Sequence, residues 1–380
     1  MECSMFRYNK GYQHIDFILL GTVLLLTTVG FIMVFSASAV LAQQKFGDNL
    51  YFLKRQLIYG LIGLFLMFLL SKFDYRKLRP MAYPLLFVSI FLLILVYTPG
   101  IGLKVGGARR WIHVGPATFQ PSEFAKISLI IYLAYYFSKK KDTIIQFKKG
   151  ILPVLIITGL LIALIYPQPD FGNAMFLSIL LVIFLFIAGA RLLHLAFLGA
   201  SILPFAIYAV FHAGYRYRRL IAFLNPWKDP RNTGFQIIQS FLSFGSGQYF
   251  GLGLGNGQQK LFFLPAPHTD FIFSVIGEEL GFVGVTIIIL LYMILLVRGF
   301  RIAYLAQSHF ASYLALGITL MIGLQAAINF GVVMGLLPTK GIPLPLISYG
   351  GSCLLIMLIG VGILLNISKR LQAKEEPKRW

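Results

Sequence analysis

Long blocks of this chain are almost wholly apolar, and polar residues are confined to the connections between them. Ten blocks, near 16–41, 56–71, 80–98, 121–137, 150–167, 171–190, 192–213, 271–297, 309–333 and 349–366, read as membrane-crossing helices. Crossing about 30 Å of hydrocarbon takes about 20 helical residues, and most of the blocks approach or exceed that length. The second block is short, and the fourth has Glu123 and Lys126 near its start. The first is longer than the core of a signal peptide, so the pattern predicts an uncleaved first span. The fold class expected is an all-α polytopic membrane protein of about ten transmembrane helices, a single domain over residues 1–380. Within it lie a long extracytoplasmic connection over 214–269 and a charged cytoplasmic tail over 367–380.

Composition agrees with this reading. Hydrophobic residues make up 58% of the 380 positions and charged residues only 12%, about half the share of a soluble domain. A net charge of +20 raises the question of nucleic acid, but the basic residues sit in short clusters between apolar runs rather than along one soluble face. No nucleic-acid partner is expected. Cys3 lies in the polar N-terminal segment and Cys353 in the last apolar run, which gives neither a disulfide framework nor a zinc site.

Short connections rich in Lys and Arg, such as Lys72–Arg79 and Lys139–Lys149, assign one side as cytoplasmic and place both termini there. The opposite side also carries cations, which the positive-inside rule selects against in short loops, so an anionic ligand is suggested. Six of these cations, Arg216, Arg218, Arg219, Lys228, Arg231 and Lys260, lie in the 214–269 connection. A connection this long and partly apolar is expected to be more than a linker.

Asp270 stands where that connection enters the eighth run. An ionisable residue at the end of a membrane helix is costly unless a partner or a function retains it. His268 and Thr269 are possible caps. The helix N-terminus favours the ionised carboxyl and apolar burial the neutral one, so the sequence leaves the sign of its pKa shift open. Glu278 and Glu279 follow about 12 Å further along the helix, too deep to share a proton with Asp270, and at least one is expected to pair with a polar group inside the bundle.

Other motifs keep two readings each. Arg109 and Arg110, after Gly106-Gly107 and before Trp111, suit phosphate or interfacial anchoring equally. In Gln120-Pro121-Ser122-Glu123-Phe124-Ala125-Lys126 the Pro, Ser and Glu open a helix, and Glu123 with Lys126 at i,i+3 reads first as a structural ion pair. Asp170 reads first as the cap of the sixth run, second as a neighbour of Asp270 in an outer cavity. Tyr215–Arg219 and Asn225–Pro230 mix cations with aromatics, suiting a membrane surface or a ligand with both phosphate and lipid. The glycines of Gly251–Gly257 match neither a Walker loop nor GxGxxG, so no nucleotide engine is expected. Pro338, Pro343 and Pro345 forbid regular helix before the tenth run, and the apolar segment around them must be packed by protein or line a cavity. Lys340, its one charge, is an interfacial anchor or a phosphate contact.

Six ordered blocks carry a resemblance over nearly the whole chain: GARRWI, QPSEFAK, QPDFG, NPWKDP with GFQIIQS, GLGLGNGQQK with LPAPHTDFIFSVIGEELG, and LLPTKGIPLPLISYGGS. The chain resembles the SEDS proteins (shape, elongation, division and sporulation) of bacteria, and their division branch more than the elongation branch. Ala266-Pro267 departs from the pattern, where an acidic residue would stand before His-Thr-Asp. The resemblance implies a ten-span glycosyltransferase that polymerises lipid II at the outer face of the cytoplasmic (inner) membrane, at the septum. Its implied partners are the growing glycan strand, a class B penicillin-binding transpeptidase, other divisome proteins and membrane lipid. By position it makes Asp270 the catalytic base, and Arg109, Arg110 and Lys340 the groups that hold the pyrophosphate leaving group, with a divalent cation (Mg2+ or Mn2+) as a candidate cofactor. It also brings in Glu123, Lys126, His268, Thr269 and Ser348 as substrate-binding candidates. A lipid II flippase and a non-enzymatic divisome scaffold that recruits a transpeptidase are the alternatives from other functional classes.

Overall fold

The computed structural model describes residues 15–105, 107–115, 117–140, 143–212, 214–261, 264 and 266–371. Cys3, Gly106 and the tail beyond 371 lie outside the described residues. Twelve α-helices account for most of the rest: α1 (Phe17–Phe46), α2 (Tyr51–Lys72), α3 (Ala82–Leu95), α4 (Pro121–Lys139), α5 (Leu152–Ile165), α6 (Phe171–Ile187), α7 (Leu192–Phe211), α8 (Gly214–Leu224), α9 (Phe235–Gly247), α10 (Ile272–Leu305), α11 (His309–Val333) and α12 (Gly351–Lys369).

Six helical stretches, comprising α1, α2, Phe147–Ile165, α10, α11 and α12, are long and apolar enough to cross a bilayer. Shorter apolar helices, α3, α6 and Leu192–Ser201 of α7, accompany them. Phe65, Phe87, Leu193 and Phe197 are exposed, an outward apolar surface that suits lipid and would be a liability in water. This is a multi-pass membrane protein.

At the centre stands α4, buried on nearly every side from Pro121 to Phe137 and packed against α3 and α11. Its run Ile127–Phe137 is apolar on most sides, and the charges of its first turns, Glu123 and Lys126, pair with each other. α12, also mostly buried, lies along α2. Arg298, in the last third of α10, pairs with Asp16, the cap of α1, at 2.6 Å.

The all-α expectation is corrected between α3 and α4, where β1 (Gly102–Val105), β2 (Ala108–Val114) and β3 (Ala117–Phe119) form an antiparallel sheet in the order β1-β2-β3. The missed signal was Gly106-Gly107 between segments of alternating character, a two-residue hairpin pattern. Gly107 has φ 83, a conformation that glycine adopts without steric cost. Tyr59 on α2 fastens the sheet by donating to the Thr118 carbonyl (3.0 Å) and accepting from its N–H (3.1 Å).

The eighth run is not one straight helix. α10 is broken at Gly281 (φ 64, ψ −164), and a Cβ there would lie 2.3 Å from the Gly251 nitrogen. The break frees backbone groups that the loop after α9 takes up: Leu252 N–H donates to the Glu278 carbonyl and Gly253 N–H to that of Glu279, both at 3.0 Å, and Phe282 N–H donates to Gln248 at 2.8 Å. Both glutamates are buried and bonded, as the sequence anticipated for at least one. Glu278 accepts from the N–H groups of Gln258 (2.7 Å) and Gln259 (3.1 Å). Glu279 pairs with Lys260 at 2.6 Å and accepts from Ser36 of α1 at 2.7 Å. The glycine-dense loop is therefore a clamp on the kink.

Glu279→Ala leaves the Lys260 charge buried without its carboxylate, which costs about 3–5 kcal/mol. The expected outcome is a clear drop in the thermal unfolding midpoint of the detergent-solubilised protein, largely reversed when Lys260→Met is added.

Candidate active site

Asp270 lies in a turn just before α10, and the proline-rich segment 338–350 packs against it. Neither stretch is helical, so their carbonyls need partners from elsewhere. Ser348 Oγ donates to the Thr269 carbonyl at 2.6 Å and accepts from Leu344 N–H at 2.8 Å. Asn329, on the last turns of α11, donates to the carbonyls of Asp270 (2.9 Å) and Ile342 (2.8 Å). Gln325 donates to Pro343 (3.2 Å), Gln56 to Ser348 (3.1 Å), and the Tyr292 hydroxyl to Pro345. Tyr349 N–H closes the join on the His268 carbonyl at 2.9 Å.

The join leaves the Asp270 side chain facing a cavity of about 480 Å³. Arg55 and Tyr59 of α2, Arg110 and Trp111 of β2, Glu123 of α4, Asp170 and Asn173 of α6, and Gly341 line it. Ile58 and Ile62, exposed on α2, belong to the same wall, so the cavity reaches the lipid-facing surface. Gly341 touches the carboxylate so closely that a Cβ there would lie 2.7 Å from Asp270 Oδ2. Burial pushes the Asp270 carboxyl up to about 6; the Arg110 and Arg219 guanidiniums pull it down and the Asp170 charge pushes it further up. No hydrogen bond or ion pair closes on this carboxylate among the described residues.

The other carboxylates are occupied. Asp170 caps α6, accepting from Asn173 N–H at 3.4 Å and from Asn173 Nδ2 at 2.8 Å, and it lines the cavity as well, so both of its readings hold. Glu123 and Lys126 form a buried pair at 2.7 Å, and Lys126 also donates to Gln325 at 3.2 Å. Glu123 reaches the cavity, with Oε2 buried and unpartnered, whereas Lys126 lies behind it over the Phe176 ring.

Arg109 and Arg110 part company because neighbours on a strand point to opposite faces. Arg110 lines the cavity, its guanidinium donating to the backbone carbonyls of Gln168 and Pro169; Arg109 is exposed opposite Lys104 and is not in the lining. Lys340 is not in the lining either. Its ammonium lies over the Phe171 ring at 4.8 Å, beside the Met175 sulfur. His268 and Thr269 do not cap α10, whose N-cap is Phe271 with no side-chain bond. His268 is packed between Phe52 and Tyr349, and burial, with Lys45 nearby, lowers its pKa to about 4, which makes it a neutral packing group. Thr269 borders the cavity, and Ser348 serves as a fastener of the loop rather than part of the lining.

Arg55, which no motif in the sequence singles out, also belongs to the site. It stacks over Tyr51 with its guanidinium 4.6 Å from the ring centre and faces the cavity. The cation–aromatic spacing Tyr51/Arg55 at i,i+4 was the available signal. Among the described residues no three His, Cys, Asp or Glu side chains come together to hold a metal ion.

The family model described as cell cycle protein, FtsW/RodA/SpoVE, matches residues 16–373. A probable peptidoglycan glycosyltransferase FtsW from Trichlorobacter lovleyi is 52% identical over 357 residues, 94% of each chain. Stage V sporulation protein E of Bacillus subtilis is 47% identical over 354 residues, 93% of this chain and 97% of the relative. Among solved structures, one described under the structural coordination of polymerization and crosslinking by a peptidoglycan synthase complex superposes with a TM-score of 0.77. It is 31% identical, covering 95% of this chain and 99% of that one. The rod shape determining protein RodA of Thermus thermophilus gives a TM-score of 0.69 at 30% identity, covering 93% and 96%.

Because the Arg110 charge lowers the Asp270 pKa, Arg110→Gln is expected to raise it above the value near 6. An infrared pH titration of the carboxyl band, assigned by its loss in Asp270→Asn, reads this directly; a midpoint that stays or falls contradicts the assignment of Arg110 as a cation acting on Asp270.

Proposed function

The chain belongs to the FtsW/RodA/SpoVE family of cell cycle proteins, and on that premise we propose that it is the peptidoglycan glycosyltransferase of cell division, which polymerises lipid II. Asp270, ionised, takes the proton from the 4-hydroxyl of the acceptor sugar. The oxygen attacks the anomeric carbon of the donor, the bond from that carbon to the pyrophosphate oxygen breaks, and undecaprenyl pyrophosphate leaves with the electron pair. The observation that carries this reading is a carboxylate with no bonding partner among the described residues, at a pKa of about 6, in a cavity that also holds Arg110 and Arg55. A base poised just below the working pH combines ionisation with residual basicity. Fixed guanidiniums stabilise the pyrophosphate as its charge develops, with no reorganisation at the moment of reaction.

Arg110 and Arg55 replace the pair Arg109 and Arg110 in this scheme, and Lys340, which lies outside the lining, takes no part in it. Glu123, held by Lys126, and Thr269 border the sugars. A divalent cation, were one used, would add positive charge against the leaving group. Ten spans, both termini cytoplasmic and a septal location complete the proposal, with the cavity on the outer face. An outer-face carboxylate suits chemistry on substrate already translocated, while a transport site is more often near the bilayer midplane. A class B penicillin-binding transpeptidase is the proposed partner, supported by the likeness to a chain from a polymerising and crosslinking complex.

With the transpeptidase and lipid II in detergent, Asp270→Asn is expected to lower polymerisation by about 10²–10⁴-fold, the contribution of a general base. The wild-type rate should rise with pH through about 6, because the base is lost by protonation below that value. Polymer made by Asp270→Asn at the wild-type rate would exclude the base; lipid II translocation in liposomes without any polymer would favour the flippase.

A further inference from the structure

Two separate cavities place guanidiniums near Asp270. Arg110 lines the cavity described above, and Arg219, the second cation acting on the Asp270 carboxyl, lines another. This second cavity, about 330 Å³, is walled by Arg218 and Arg219 of α8, Asn232, Thr233, Gln236 at the start of α9, and Thr339. Its lining contains two guanidiniums and no carboxylate. The neighbouring Asp229 is turned to its own loop, where it accepts from Asn232 Nδ2 (3.0 Å) and from the N–H (3.2 Å) and hydroxyl (3.0 Å) of Thr233. A pocket of this composition suits an anion with several oxygens, above all a diphosphate.

The wall between the two cavities is short. Arg219 Nη1 donates to the Thr339 carbonyl at 3.2 Å, and two residues on, Gly341 lies against Asp270 Oδ2 and lines the main cavity. Two extended residues span about 7 Å. Joining two lipid-linked sugars requires both to be held at once, and each has its own diphosphate. The donor's diphosphate is bonded to the carbon under attack, so it belongs in the cavity with Asp270. The acceptor's lies a disaccharide away from the hydroxyl that Asp270 deprotonates, so it needs a separate anion site a short distance off.

We propose that the Arg218/Arg219 pocket holds the diphosphate of the acceptor lipid, an inference that rests on the polymerase reading above. Phospholipid phosphate shares the same chemistry, and the test separates the two sources.

The full-length protein is placed in phosphatidylcholine nanodiscs, and bound lipid II is counted by native mass spectrometry on the Asp270→Asn background, where turnover is blocked. Two molecules per protein are expected. Adding Arg218→Gln, an exposed position whose change spares the fold, should leave one, and Arg218→Lys should restore part of the second. In the protein with intact Asp270, Arg218→Gln should raise the half-saturating lipid II concentration about tenfold, the loss of one charge-assisted contact, with a smaller effect on the maximal rate. Two lipid II molecules on the Arg218→Gln variant overturn the proposal. So does displacement of the second lipid II by excess phosphatidylglycerol, which would make the pocket a general phospholipid site. No polymer from the wild type sinks the polymerase reading and the acceptor role with it, while the count of bound lipid still decides whether the pocket holds a diphosphate lipid.

Discussion

Unwound backbone inside a membrane protein must have its polar groups satisfied by protein, and this constraint organises the structure. Prolines keep the segment before α12 from forming helix, so its carbonyls would be orphaned in an apolar bundle. Asn329, Gln325, Tyr292 and Gln56, drawn from α11, α10 and α2, supply donors to these carbonyls, and Ser348, on the segment itself, accepts from Leu344 N–H. Two of these side chains, Asn329 and Ser348, also hold the carbonyls of Asp270 and Thr269. The fastening that makes the segment tolerable is thus the same one that fixes the position of the carboxylate.

A second break follows the same rule. At Gly281 the helix of the eighth run unwinds, and the loop after α9 satisfies the freed groups while placing its own N–H donors on Glu278. Lys260, Glu279 and Ser36 bind this arrangement to α1. The long connection before α10 is therefore anchored twice, once through Arg219 on Thr339 and once through Lys260 on Glu279.

Within this frame the carboxylates divide by surroundings. Glu123 has Lys126, Asp170 has the amide of Asn173, and Glu279 has Lys260; each is a charge with a direct partner. Asp270 has no direct partner among the described residues; burial, and the Asp170 charge, outweigh the pull of Arg110 and Arg219 and keep it weakly acidic. Carboxyl groups in one site whose environments set them apart in this way can take different tasks, a base beside groups that orient and bind.

Much of this was legible in the chain. Apolar run lengths, the prolines before α12 and the lone aspartate before α10 are local features, and local physics is enough to read them as spans, an unwound segment and a candidate base. The hairpin of Val105 to Ala108 was legible too, in the Gly-Gly between alternating residues, but the surrounding apolar runs obscured it. What only the tertiary structure decided depends on which face a side chain presents and what packs there. Strand alternation separates Arg110 from Arg109, Arg55 reaches the site because α2 lies beside α12, and His268 becomes a packing group because Phe52 and Tyr349 enclose it. The sign of the Asp270 pKa shift likewise waited for the fold, because it depends on a balance between burial and guanidiniums more than fifty residues away in sequence, which no local pattern encodes.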